Sequence, residues 1–188
     1  MVRIYHFPIS VREYSARGKH NLFPDIYECP HPECHFTGRL RHHGFYTRYL
    51  LTLLSMYLIV VQRYYCPVCK HTVTLLPSFA VPRYQYSLSC LFFVFWQRSR
   101  GLSVQRIAEL LNHSSGRIEL TAAHISFYLR RLRKNVSLIR GVLGSNEHVF
   151  DETKDATELM VWIIRAYRIE IFNLEHLQIH CLPFMAKP

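Results

Sequence analysis

The chain has 188 residues, 49% of them apolar and 19% charged, which is enough for one domain or two small ones with a real core. That balance excludes a disordered or low-complexity chain, and no internal repeat is present. Net charge is +10 and unevenly placed: residues 1–140 hold 19 Lys+Arg against 6 Asp+Glu, and residues 141–188 hold 4 against 7.

A basic body with a mildly acidic tail points to a polyanionic partner, nucleic acid first, although a basic protein with no such partner has the same totals. The N-terminus MVRIYHFPIS lacks the long apolar run of a secretory signal. The most apolar stretches, residues 49–61 and 88–96, fall well short of the roughly 20 residues that cross a bilayer. The expectation is a cytoplasmic protein without membrane contact. Structural disulfides are rare there, and paired cysteines more often hold metal.

Residues 1–28 read as a short strand, VRIYHF, followed by a polar connection through Arg17, Gly18 and Lys19. CPHPEC then occupies residues 29–34 and CPVC residues 66–69. Between and after them the chain is rich in Tyr, Val, Leu and Thr with no helix period, so strands are expected near residues 39–45, 46–53, 57–65 and 72–75. Gly44 and Ser55 mark the bends. LLPSFAVP, punctuated by Pro77 and Pro82, reads as a linker or turn-rich joint.

The cysteine pairs are spaced C-x4-C and C-x2-C with 31 residues between them. Each pair can form a tight knuckle with both thiolates on one side. Two knuckles carried by hairpins can close a tetrahedral four-cysteine zinc site on Cys29, Cys34, Cys66 and Cys69. Lys70, Arg63 and Arg39 stand ready to offset the charge of the thiolates. Such a shell leaves no open coordination position, so the Zn2+ is structural. A C-x-x-C redox pair is the competing reading of Cys66 and Cys69, but such a pair opens a helix after a strand, whereas CPVC lies between two strand-like runs. His31, His35, His42, His43 and His71 crowd the region as substitute ligands. Cys90, in an apolar stretch, reads as core.

After Pro82 the period changes. Ser87 is the expected N-cap of a helix with Leu88, Leu91, Phe92 and Phe95 inward, and Gly101 fits just past its end. Ser103 caps a second helix, with Val104, Ile107, Ala108 and Leu111 inward and Asn112 at its end. A third runs over about residues 121–135 with Ala122, Ile125, Leu129, Leu132 and Val136 as its core stripe. Helix, connection and basic amphipathic helix is the layout of a helix-turn-helix reader of double-stranded DNA. Thr121, His124 and Tyr128 would face bases. Arg130, Arg131, Arg133 and Lys134 would contact phosphates, with Arg131 the one able to reach a guanine. RRLRK as a solvated helix end, favoured by the C-terminal dipole, explains the same residues without DNA.

Residues 144–155 read as a loop. Residues 157–172 are apolar and β-branched, with helix favoured over strand, and the segment 141–188 is a candidate element for a homodimer. The fold class expected is α+β: a zinc-ribbon antiparallel β domain at 1–82, a helix-turn-helix-like domain at 83–140 and a helical tail at 141–188.

The run from CPHPEC through RHHGFYTRYLLTL, RYYCPVCKHTVTLLPSFAVPRYQYSL and GLSVQRIAELL resembles a bacterial family of uncharacterised zinc-ribbon domains related to the N-terminal parts of transposases. Arg41, His43, Gly44, Tyr46 and Arg48 match its R-H-G-x-Y-x-R segment with one extra histidine. Thr72, Leu75, Leu76, Pro77, Phe79 and Pro82 match its T-x-x-L-L-P-x-F-x-x-P stretch. The resemblance covers about residues 1–135, and the first knuckle is wider here than the C-x2-C of the family. It implies zinc on the four cysteines and DNA binding by the helices. A transposase nuclease holds two metal ions on carboxylates of an RNase-H-like core. The 48 residues after Arg140 are too few for one, and Asp151, Glu152, Asp155 and Glu158 read as the polar start of a helix. No G-x-S-x-G, Walker-type loop or H-E-x-x-H occurs. The expected function is thus a transposase-related DNA-binding protein, not an enzyme, with a zinc-ribbon protein-interaction module as the alternative.

Overall fold

A computed structural model of the chain describes residues 1–115, 120–145, 155–157, 159 and 161. Among them are four strands and five α-helices, an α+β architecture. The chain divides into two compact units. The β unit comprises Met1–Leu50 and Tyr57–Gln85. The helical unit comprises Leu51–Met56 and the chain from Tyr86 onward.

In the β unit, β1 (Val2–Tyr5), β2 (Arg41–Leu51), β3 (Met56–Tyr65) and β4 (Thr72–Pro77) form one sheet in the order β1-β4-β3-β2. β4 runs antiparallel to β3, with Gln62 opposite Leu75 and Tyr65 opposite Thr72. β1 joins its other edge in parallel, from Val2 opposite Thr74 to Tyr5 opposite Pro77. The sheet is therefore mixed, where antiparallel pairing alone was expected. The core gathers Tyr14, Leu40, Leu50, Ile59, Val61, Tyr64, Leu75 and Leu76. The buried tyrosines satisfy their hydroxyls on backbone: Tyr14 donates to the Val60 carbonyl at 2.8 Å and Tyr64 to that of Pro24 at 2.6 Å.

Three sequence expectations change here. The polar connection after β1 contains a helix, α1 (Val11–Arg17). Ser10 accepts from the Glu13 N–H at 3.1 Å, Arg17 pairs with Glu13 one turn away, and Gly18 ends the helix at φ +52°. Only Tyr14 of this helix is buried, so its apolar period is too thin to announce it. Next, the two strands expected on either side of Gly44 are one. Gly44 sits at φ +98°, and His42 and Phe45, three apart, both line one cleft with Gln62. The strand therefore bends at Gly44 without ending there. Finally, LLP closes β4, and Phe79, Ala80 and Val81 are buried, so LLPSFAVP belongs to the core of the unit.

In the helical unit, Ser87 caps α2 (Leu88–Ser99) by accepting from the Cys90 N–H, and Gly101 follows its end at φ +87°. Leu88, Cys90, Leu91, Val94 and Phe95 are buried, while Phe92 is half-buried. Ser103 accepts from the Arg106 N–H to start α3 (Val104–Ser115). Ile107, Ala108 and Leu111 are buried and Val104 half-buried. α3 continues three residues past Asn112. The side chain of that residue instead accepts from the Leu120 N–H at 3.1 Å and donates to its carbonyl at 3.5 Å, tying α3 to the entry of the next helix. α4 (Ala122–Lys134) buries Ile125, Tyr128, Leu129 and Leu132, and α2, α3 and α4 pack pairwise. Asn135 ends α4, and α5 (Val136–Ser145) begins beyond it. Val136 is therefore the first residue of a new helix, and that helix enters the loop expected from residue 144. The expectation for residues 157–172 falls almost wholly outside the described residues, as does the proposed dimer element. No described helix is long and apolar enough to cross a membrane.

Candidate metal centre

The second knuckle, CPVC, is the turn between β3 and β4. The Cys66 N–H donates to the His71 carbonyl and the Lys70 N–H to the Cys66 carbonyl, both at 3.0 Å. Closing so tight a turn puts Lys70 at φ +62°. The first knuckle is folded likewise, with the Cys34 N–H on the His31 carbonyl at 2.9 Å and the Cys29 N–H on the Phe36 carbonyl at 3.1 Å. The wider C-x4-C spacing is thus taken up within a closed loop.

The sulfurs meet across the two knuckles. Cys29 Sγ is 3.6 Å from Cys69 Sγ, and Cys34 Sγ is 3.7 Å from Cys66 Sγ. All four ligand atoms lie within 4.8 Å of one another. These contacts are far longer than the roughly 2.05 Å of a disulfide, and the four are free thiols. Among the described residues this is the one cluster of three or more His, Cys, Asp or Glu side chains able to hold a metal ion. The donor set is all sulfur; Cys29, Cys34 and Cys66 are buried and Cys69 is half-buried.

Backbone amides supply the local electrostatics. Burial pushes the Cys66 thiol up, but the N–H groups of Cys69 and Val68 pull it down harder, to about 7. Burial raises Cys29 to about 12 despite the His31 N–H, and neighbouring thiols add to the rise. Burial also raises Cys69, against the His71 N–H. Burial thus penalises ionisation at Cys29 and Cys69 while backbone amides favour it at Cys66, and a cation among the sulfurs would favour the thiolate at all four.

Two of the three cations expected to play that part, Arg39 and Lys70, have other partners. Arg39 pairs with Asp25 at 2.7 Å, and Lys70 lies over the Tyr65 ring at 6.0 Å. The histidines pair among other groups: His31 stacks on His71 at 4.6 Å, His43 on Tyr65, and His42 reaches Asp25 at 3.4 Å. Cys90, the further cysteine, is buried on α2, and Cys181 lies outside the described residues.

On α4 the residues expected to read bases divide. Thr121 and His124 form a reciprocal cap, the Thr121 hydroxyl accepting from the His124 N–H and His124 Nδ1 from the Thr121 N–H. Both are exposed. Tyr128, in contrast, is 5% exposed and meets Tyr86 edge-on at 5.6 Å. Its neighbour Phe127 is 38% exposed instead, under the Arg131 guanidinium at 5.3 Å. The signal was in the spacing: Ile125, Tyr128, Leu129 and Leu132 stand at i, i+3, i+4 and i+7. Arg130, Arg133 and Lys134 are exposed, and Arg131 is half-buried. Compared with known protein families, with curated proteins and with solved structures, this chain finds no match in any of the three.

Proposed function

We propose that this is a zinc-stabilised protein that binds double-stranded DNA, related to transposase N-terminal regions. The observation that carries the metal is the crossed pair of sulfur contacts, 3.6 and 3.7 Å. Four thiolates about 2.3 Å from one tetrahedral Zn2+ stand about 3.8 Å apart. A full sulfur shell leaves no place for substrate water, so the zinc holds the knuckles and does no chemistry.

The DNA reading is supported by α4. Its outer side carries Arg130, Arg133 and Lys134 in solvent, with His124 and Arg131 beside them, and the helix contains no carboxylate. An excess of 13 positive charges over residues 1–140 adds the long-range attraction. Phosphate contacts of this kind make affinity fall with salt, each contributing about 0.9 to the slope of log K against log salt.

Metal analysis and a salt-titrated duplex mobility shift test both parts. The expected result is one zinc per chain, and a duplex affinity whose salt slope drops by about 0.9 for each contact removed in an Arg130/Arg133/Lys134→Ala variant. Unchanged affinity and slope in a folded variant would overturn the DNA reading and favour a protein-interaction module. A chain that folds without bound metal, or stays folded as Cys66→Ser, would overturn the zinc staple.

A further inference from the structure

The β unit also contains an open cleft of about 530 Å³, walled by Tyr46, Tyr49 and Tyr84 with Arg48, Arg83 and Gln85 among its rim and floor. That volume lies within the roughly 300–1,000 Å³ of ligand pockets. It suits one small planar group and is far too small for a duplex.

The charge in the cleft is one-sided. Arg48 donates to the carbonyl of Val81 at 3.4 Å and to that of Tyr84. Burial lowers its pKa, yet a guanidinium keeps its proton at any physiological pH. Carbonyl dipoles orient this cation without cancelling its charge. Among the described residues no carboxylate pairs with it, and none lines the cleft. Arg83 brings a second positive charge to the same wall. It is exposed and sits at φ +67°, a conformation costly for a side chain of this kind and concentrated at ligand sites. Two cations without a counter-charge favour an anion. Three tyrosines favour a ring, and Tyr49, 52% exposed, has a surface free for one.

We propose that this cleft binds a nucleotide, with its phosphate toward Arg83 and Arg48 and its base against the tyrosine rings. A free mononucleotide and an unpaired residue of a DNA strand present the same chemistry. Stacking on an aromatic face is tolerant of base identity, so selectivity for the nucleotide unit exceeds selectivity for sequence. The site uses no residue of α4 and stands independently of duplex binding.

The experiment uses the metal-loaded full chain carrying Arg130/Arg133/Lys134→Ala, so that phosphate contacts by α4 do not contribute. The probes are a ten-nucleotide oligothymidylate, followed by fluorescence anisotropy, and thymidine monophosphate, followed by calorimetry. Inorganic phosphate is the competitor. Arg83→Ala and Tyr49→Ala are the variants, both at exposed positions. Arg48 is left intact because its loss would release the backbone at Val81 and Tyr84. Saturable binding is expected, weakened about tenfold by either variant with an unchanged circular dichroism spectrum. An oligonucleotide bound about tenfold tighter than the monophosphate identifies a strand as the source, and equal affinity identifies the free nucleotide. Absence of binding to both probes, wild-type affinity in both variants, or competition by inorganic phosphate as strong as by the nucleotide would each overturn the proposal.

Discussion

Cys90 and the knuckle cysteines show how surroundings divide one residue type into two uses. Cys90 is buried on α2 and its thiol donates to the Leu51 carbonyl at 3.3 Å. Burial pushes it up from 9.0 to about 11. A group held protonated by the fold contributes stability that is complete below the unfolded value and is lost as pH rises through the folded one. Urea unfolding of the wild type should therefore weaken between about pH 9 and 11 by on the order of 2 kcal/mol more than that of Cys90→Ala. Parallel pH profiles for the two proteins would remove this role. The pairing of Cys29, Cys34, Cys66 and Cys69 was legible because spacing and proline both constrain a knuckle. Which sulfur lies nearest which was not, since Cys29 meets Cys69 and Cys34 meets Cys66 only when the two loops are brought face to face. The burial of Tyr128 was not legible for a related reason: a tyrosine is both ring and hydroxyl, and only tertiary packing, here against Tyr86, decides which part is covered.

At the scale of elements, β2 depends on Gly44. A Cβ added there meets nothing within 4 Å, so no clash opposes a larger residue. The obstacle is the backbone, at φ +98°. Gly44→Val should cost about 1–2 kcal/mol in urea unfolding through that conformation alone, and Gly44→Asn distinctly less. Equal stability of the Val variant would show that the strand passes this point without a positive φ. The strand-rich middle and the helices after Pro82 were readable from period and caps: Ser87, Ser103 and Gly101 act where the pattern put them. α1 was missed because its start signal, Ser10 and Glu13, precedes a segment with a single buried side chain. Asn112 was read as a helix stop. Its side chain satisfies the Leu120 backbone instead, a use that depends on where the chain returns.

For the whole molecule, the clearest consequence is that metal should act as a folding ligand. Removing it with a chelator should lower the thermal midpoint of the β unit, and Zn2+, but not Mg2+, should restore it, because an all-sulfur shell suits a soft ion. Calorimetry with and without chelator checks this; an unchanged midpoint would mean that the sulfurs gather without an ion to hold them. By itself the sequence determined the α+β composition, the two cysteine knuckles, the helix caps and the uneven charge. Each of these is written in local spacing or in counts. Only the tertiary structure decided the parallel pairing of β1 with β4, the crossed meeting of the sulfurs, the burial of Tyr128 and the cleft around Arg48. Those depend on which distant segments share a surface, and no local period records that.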